Sequence, residues 1–316
     1  MRAVCVLGTG LIGGSLLRAA ARAGREVWGT AASDATAAAA VADGFDVTTD
    51  TDAALTRAAE ADALVVVAVP LTALEPVLRR IDAVAPTCRL TDAVSVKGAV
   101  ADAVAEHAPR TRYVGGHPMA GTAESGWAAG TPDLFDGAAW VVAADDGLDL
   151  DVWRDVAGLA WGCGSRVVPA AADEHDIAVA RISHLPHLFA AVLAAVGAGE
   201  QGDDLALALS AGSFADGTRV AGTRPELTLA MCEGNRSALL AAVDDALGRL
   251  GAMRGALAST GGLAATVRSG HEARMRWAST REPLELPVTL DGDPDTVLAE
   301  LRELGRRGDV VEPPKD

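Results

Sequence analysis

A histidine enclosed by chain-breaking residues marks where this sequence could do chemistry. His117 stands in GGHPMAGTAESGW, behind Gly115 and Gly116, ahead of Pro118, with Gly121 and Thr122 close by. Helices do not tolerate that density of breakers, and a plain strand has no need of it. The segment therefore reads as a loop at the end of the short strand RYVGGH, built so that backbone can come close to something. A neutral imidazole in such a place can take a proton near neutral pH. Ser95, in TDAVSVKG, adds a hydroxyl after another apolar segment. Lys97, two residues on, is either a further catalytic group or a strand-end lysine near phosphates or in solvent.

A second group of residues could hold a hydride acceptor. Gly8, Gly10 and Gly13 form G-x-G-x-x-G directly after the apolar run VCVL and at the start of an alanine- and leucine-rich segment. In that context Gly8 makes a tight turn, Gly10 lets backbone approach a pyrophosphate, and Gly13 lets helix and strand pack closely. Leu11 and Ile12 then sit at a helix N-terminus that attracts phosphate. The next strand, REVWGT, ends at Thr30 and Ala31, where a strict NAD site carries Asp or Glu; Asp34 comes about three residues late. Thr30, Ser33 and Thr36 could donate to a 2′-phosphate, but no arginine waits there. The reading leans to NADP and leaves NAD open.

Further along, DEHDIAVARISHLPHLF brings three histidines, His175, His184 and His187. Their spacing lacks the tight cluster of a zinc site, and no metal is expected. Asp176 and His187 are close to three helical turns apart and so would share a face, with Pro186 a plausible kink. In DGTRVAGT, Arg219 offers a guanidinium fork suited to a carboxylate.

The elements that must position these residues follow from periodicity. Residues 1–168 alternate apolar strands with helical segments, the pattern of a doubly wound parallel sheet. Residues 169–280 carry helical periodicity over 174–198, 202–215, 225–258 and 261–278, an all-helical second domain. The 281–316 tail reads as a small strand–helix–strand unit. The chain of 316 residues is long enough for two substantial cores, and half of it is hydrophobic. A net charge of −16 disfavours nucleic acid as a partner. Cys5, Cys88, Cys163 and Cys232 show no C-x-x-C and read as reduced and packed. The N-terminus does not read as a signal peptide, and the apolar stretch 185–198 is too short to span a bilayer. No membrane partner is expected, and a cytoplasmic location is.

Taken in order, GTGLIGGSLL, TDAVSVKG, GGHPMAGTAESGW, HDIAVARISHLPH and GSFADGTRVAGTRPEL resemble the prephenate/arogenate dehydrogenase family of tyrosine biosynthesis, over about residues 1–278. The resemblance implies a Rossmann-like domain followed by a helical dimerisation domain, hence a homodimer. It implies oxidative decarboxylation of a cyclohexadienol dicarboxylate, with hydride passing to NAD(P). His117 matches the family's catalytic histidine and Ser95 the serine that bonds both this histidine and the substrate hydroxyl. Gly121 and Thr122 shape the same pocket. Arg219 matches the arginine for the side-chain carboxylate, His187 lines the substrate site, and Asp176 belongs to a polar network beside it. Arg224 stands where many relatives have Asp and reads as a surface or dimer contact. Several prephenate-using relatives have a gating glutamate at the position of Ala123; here the acid is Glu124, which leaves prephenate against arogenate open. The tail is too small for a full ACT regulatory domain. Two rivals remain: another two-domain β-hydroxyacid-type dehydrogenase, and a non-catalytic nucleotide-sensing protein of the same fold.

Overall fold

The computed structural model describes residues 1–122, 124–199, 204–259, 261–280 and 282–313. Packing divides the chain into two units: Met1–Asp176 with Thr223–Gly234 and Glu285–Asp316, and Ile177–Gly222 with Asn235–Leu284.

The first unit is built on a six-stranded parallel sheet. Its strands are β1 (Val4–Leu7), β2 (Val27–Thr30), β3 (Val47–Thr48), β4 (Leu64–Val67), β5 (Arg89–Asp92) and β6 (Arg112–Tyr113), in spatial order β3-β2-β1-β4-β5-β6. The helices between them are α1 (Leu11–Arg22), α2 (Asp34–Ala42), α3 (Thr51–Glu60), α4 (Leu74–Val84) and α5 (Gly98–His107). β1 and β4 are apolar throughout and wholly buried, as a parallel strand covered on both faces must be. Ser33 and Asp50 accept from backbone N–H groups one turn into α2 and α3, the capping that lets these helices start where they do.

Expectation and structure differ beyond Tyr113. The strand anticipated as RYVGGH divides into β6 and β7 (Gly116–Pro118), and β7 belongs to a second sheet with β8 (Ala139–Ala143) and β9 (Arg166–Ala170). β7 runs antiparallel to β8, which pairs parallel with β9. His117 therefore lies in a strand, opposite Val141, and not in a loop. Apolar periodicity identifies strands but does not say which sheet each joins. α6 (Leu150–Gly162), capped by Asp149, packs between β8 and β9 and the first sheet.

The described part of the tail joins this second sheet. β10 (Glu285–Leu286) pairs with β11 (Val310–Val311), β11 pairs with β9, and α14 (Pro294–Arg306) packs on β9. One core contains Val6, Val66, Trp140, Trp153, Val167 and Leu301; another lies under α3, α4 and α5 on the far face of the parallel sheet. The four thiols are free and buried, and burial pushes Cys5, Cys88 and Cys163 up to about 12.

The helical run begins with α7 (Ala172–Val179), a π-helical stretch Ala180–His184, and α8 (Leu185–Ala198). The apolar stretch 185–198 thus continues an earlier helix, and Ala172–Ala198 is long and apolar enough by length and composition to cross a membrane. The π stretch widens the turn ahead of Pro186, which has no N–H to give. It also takes the helix out of the 3.6-residue step, so spacing alone does not put Asp176 and His187 on one face. The rest is α9 (Asp204–Ala208), α10 (Gly212–Thr218), α11 (Pro225–Gly234), α12 (Arg236–Ala258) and α13 (Ala264–Ala278). α11 packs in the first unit; within the second, Phe214 of α10 lies against Gly197 and Leu193 against Gly217.

Candidate active site

The glycine turn after β1 has the form a dinucleotide needs. Gly8 has φ +99°, and a Cβ on Gly13 would lie 1.9 Å from the Gly8 carbonyl oxygen, so any side chain at position 13 would push α1 off β1. A Cβ on Gly10 meets nothing within 4 Å: the space in front of the turn is open. No side chain caps α1 at Gly10, and its first N–H groups face that space, as a pyrophosphate site requires. The residues present fit the cofactor.

Gly10, Leu11 and Ile12 form one wall of a cavity of about 380 Å³. Ser95 and His117 form another wall, Gly121 and Thr122 a third, and Arg224, just ahead of α11, lines it together with Leu227 and Met231 of α11. The segment that follows His117 is pinned at its far end. Trp127 donates from Nε1 to Asp43 at 2.7 Å and lies under the Arg18 guanidinium, 3.5 Å from the ring centroid. Ala123, the position of the gating acid in relatives, lies outside the described residues.

His117 is buried but for 9% of its surface, and its Nδ1 is 2.8 Å from Nε2 of His175. His175 in turn places Nδ1 2.8 Å from Oδ1 of Asp176. The carboxylate sits at the start of α5, accepting from the backbone N–H of Lys97 at 2.8 Å and of Gly98 at 2.9 Å. Burial alone would raise the Asp176 carboxyl; the His175 hydrogen bond and the two backbone donors outweigh it and hold the group below the usual carboxylate range. The positive end of α5 favours the same anion. An ionised Asp176 accepts a hydrogen bond from His175 Nδ1–H, so His175 presents a bare Nε2 and His117 donates to it from Nδ1. The tautomer of His117 is then set, with its Nε2 carrying the lone pair.

A second buried network fixes the strand that carries His117. Lys97 is fully buried, ion-paired with Asp92, and donates to the Gly116 carbonyl at 2.6 Å. Burial lowers the Lys97 pKa and the Asp92 charge opposes it; burial and Asp92 together push Tyr113 well up, and its hydroxyl donates to Asp92 at 2.7 Å. A Cβ on Gly116 would come 2.7 Å from the Asp92 carbonyl oxygen, so the glycine serves close approach of β7 to the end of β5. Neither reading of Lys97 describes this: its ammonium anchors backbone and does not line the cavity.

The structure brings together Gly10, Leu11, Ile12, Ser95, His117, Gly121 and Thr122. Asp176 stands behind His175 and not in the cavity wall. Thr30 is buried at the end of β2, and Ser33 spends its hydroxyl on Thr36 and the cap of α2. In the second unit, Arg219 is exposed in the turn Arg219–Gly222 and His187 Nδ1 bonds the Ser183 carbonyl at 2.8 Å. His184 there lies 3.2 Å from Asn235, so each of the three histidines has its own partner. Sequence reasoning missed His175, weighed only as a metal ligand although its place beside Asp176 was a signal; Arg224, read as surface, is exposed and lines the cavity.

Comparison with known proteins agrees over most of the chain. Residues 14–169 match the nucleotide-binding domain of prephenate dehydrogenase and residues 171–262 its dimerisation domain. The apolar helix Ala172–Ala198 falls inside the second match. A Corynebacterium glutamicum protein provisionally assigned as a prephenate dehydrogenase is 44% identical in a crystal structure covering 98% of each chain, with TM-score 0.92. Synechocystis arogenate dehydrogenase is 28% identical over 87% of this chain and 99% of its own, with TM-score 0.74. Bacillus subtilis prephenate dehydrogenase is 32% identical over 43% of this chain and 37% of that protein. The matched part spans between 23% and 54% of the length of the curated relatives. These matches and the two-part fold make the chain a member of the prephenate/arogenate dehydrogenase family.

Proposed function

We propose that this protein carries out the oxidative decarboxylation of prephenate or arogenate, with hydride transfer to NAD(P), in tyrosine biosynthesis. The observation that carries the reading is the Asp176–His175–His117 chain, which ends in the same cavity as the glycine turn. A bound nicotinamide dinucleotide supplies the hydride acceptor. His117 Nε2 takes the proton of the ring hydroxyl as that carbon gives up its hydride and becomes a carbonyl. The ring carboxylate then leaves as CO2, its bonding pair flows into the ring, and the ring becomes aromatic. The phenolate oxygen recovers the proton from His117. During the step His117 is a cation, and Asp176, acting through His175, steadies that charge and the ring's orientation. Ser95, on the same wall, is the hydroxyl that supports the substrate oxygen, and Gly121 and Thr122 shape the space beside it. In the second unit, Arg219 takes the side-chain carboxylate and His187 lines the substrate site, both by resemblance.

NADP is used at least as well as NAD. Thr30 and Ala31 end β2 without the carboxylate that would hold the ribose hydroxyls and repel a 2′-phosphate. The helical unit pairs with a second copy of itself, as its exposed apolar side chains and its match to a dimerisation domain both favour. A steady-state panel of prephenate and arogenate, each with NAD and with NADP, tests the reading. Turnover of at least one substrate is expected. Cofactor binding without turnover of either would leave a nucleotide sensor, and an NAD preference above about a hundredfold, roughly 2.7 kcal/mol, would overturn the NADP assignment.

A further inference from the structure

The tail helix α14 reaches the His175–Asp176 pair from behind. No described residue after 281 lines the cavity of His117, yet α14 touches the segments that frame His175 at three points. A Cβ on Gly305 would lie 1.7 Å from the Pro169 carbonyl oxygen, so the glycine lets α14 lie directly on the end of β9, just before α7 begins. Arg306 donates from Nε to Glu174, the neighbour of His175, at 2.7 Å. Arg302 donates from Nη1 to the Ala144 carbonyl at 2.6 Å and pairs through Nη2 with Asp146 at 2.8 Å, where β8 ends. The Arg306 and Glu174 side chains are 51% and 34% exposed, and a pair so wet contributes little. The Arg302 side chain is only 15% exposed, and its bond to the carbonyl is charge-assisted. Between Ala144 and Asp146 stands Asp145, which accepts from the Ala172 N–H at 3.0 Å and so satisfies the first turn of α7. Burial raises the Asp145 carboxyl; the Ala172 hydrogen bond and the Arg302 charge oppose that rise. The same corner carries both halves of the proton chain. Ala143 donates to the Gly115 carbonyl, two residues before His117, and Ala144 to that of Ala170, two residues before α7.

We infer that Arg302 is a positioning residue for the reaction: by holding Ala144 and Asp145 it fixes where α7 starts, and with that the approach of His175 to His117. The assignment rests on the reading of His117 as the base. The contact between the two imidazoles is 2.8 Å, and a drift of α7 by about 1 Å takes it out of hydrogen-bond range. Asp176 then no longer steadies the His117 cation, so His117 gives up its proton at lower pH and its orientation is less fixed. Substrate and cofactor meet the same cavity walls as before, so the loss falls on the chemical step. The other charged groups near His117 are Lys97 and Asp92 at β7, and Glu124 and Arg224 along the cavity; Arg302 bonds none of them.

The test pairs kinetics with a spectroscopic arm that needs no turnover. Arg302→Gln should lower kcat about ten- to a hundredfold, leave KM for substrate and cofactor within about twofold, and move the acid limb of kcat to lower pH. Arg302→Lys keeps the charge and should recover most of the loss. Asp145→Ala should reproduce the Arg302→Gln phenotype, and the double variant should lose less than about twofold beyond either single one. Arg154→Gln unties α6 from Asp291 elsewhere on the tail and should change neither kcat nor the limb. In histidine-labelled protein, the resonance of the Nδ1 proton that His175 gives to Asp176, assigned by its loss in His175→Gln, should shift in Arg302→Gln and not in Arg154→Gln. Wild-type kcat in Arg302→Gln, a loss with the limb unmoved, or an unshifted His175 resonance would overturn the assignment, as would fully additive losses in the double variant. If Arg302→Gln does not fold, Asp145→Ala decides by the same readouts. A wild type that turned over neither prephenate nor arogenate would remove the dehydrogenase reading, and the resonance would still decide whether Arg302 sets the place of His175.

Discussion

The two units use similar residues to opposite ends. In the first, large apolar side chains are enclosed: Val4, Leu16, Leu64, Trp140 and Leu298 are all at 0% exposure. In the second, Val196 and Leu209 are 73% exposed, Leu257 70% and Trp277 69%, and the 23-residue helix α12 buries only Leu239 and Ala242. A sheet covered by helices on both faces completes its own core, whereas helices with broad apolar faces need another surface. The chemistry follows the division. Lys97, His117 and His175 can be held desolvated and in fixed hydrogen bonds because the first unit is closed around them. The second unit keeps much of its apolar area outward.

Substitutions at the two kinds of surface should separate accordingly. The largest effect belongs to the closed unit. Lys97→Met leaves Asp92 buried beside Tyr113 without its cation and should cost about 3–5 kcal/mol in denaturant unfolding. A loss below about 1 kcal/mol would mean that the ion pair does not hold β7. Val196→Glu should act differently, by raising the dimer dissociation constant at least about a hundredfold, roughly 2.7 kcal/mol, with little change in helix content. Sedimentation showing an unchanged dimer, or a wild type already monomeric at micromolar concentration, would break the contrast between the units.

Asp176→Asn gives a smaller, pH-dependent effect of about 1–3 kcal/mol. Its folded carboxyl lies below the ordinary value, so its stabilisation is fully present above the unfolded pKa near 3.9 and is lost as pH falls through the folded one. The gap between wild type and variant should therefore be constant through neutral pH and close in acid below about pH 4. A gap that opened in acid would contradict an ionised Asp176.

Much of this was legible from sequence, for reasons that also explain the rest. The parallel sheet and its glycine turn announce themselves because strand, turn and helix are adjacent in the chain. So does His117, flagged by the glycines and proline around it. The second sheet was not legible: β7 pairs with β8 across the segment 119–138, and the run from Tyr113 to His117 carries no mark of changing sheets. The partner of His117 was hidden for the same reason, since 58 residues separate it from His175. The π stretch at Ala180–His184 has no periodicity of its own to read, and it displaced an argument that assumed 3.6 residues per turn.

The central claim is that His117 is the base and that the chain behind it sets its tautomer. The most direct measurement is the pH dependence of kcat with the preferred substrate and cofactor, for wild type and His117→Asn. Asparagine keeps a polar side chain of similar reach but cannot take the proton. Wild-type activity should rise with pH through the imidazole range, about pH 6–7, and the variant should lose about 10²–10⁴-fold in kcat together with that limb, while cofactor affinity is preserved. A variant that kept more than about a tenth of wild-type kcat, with the acid limb unchanged, would show that another group is the base.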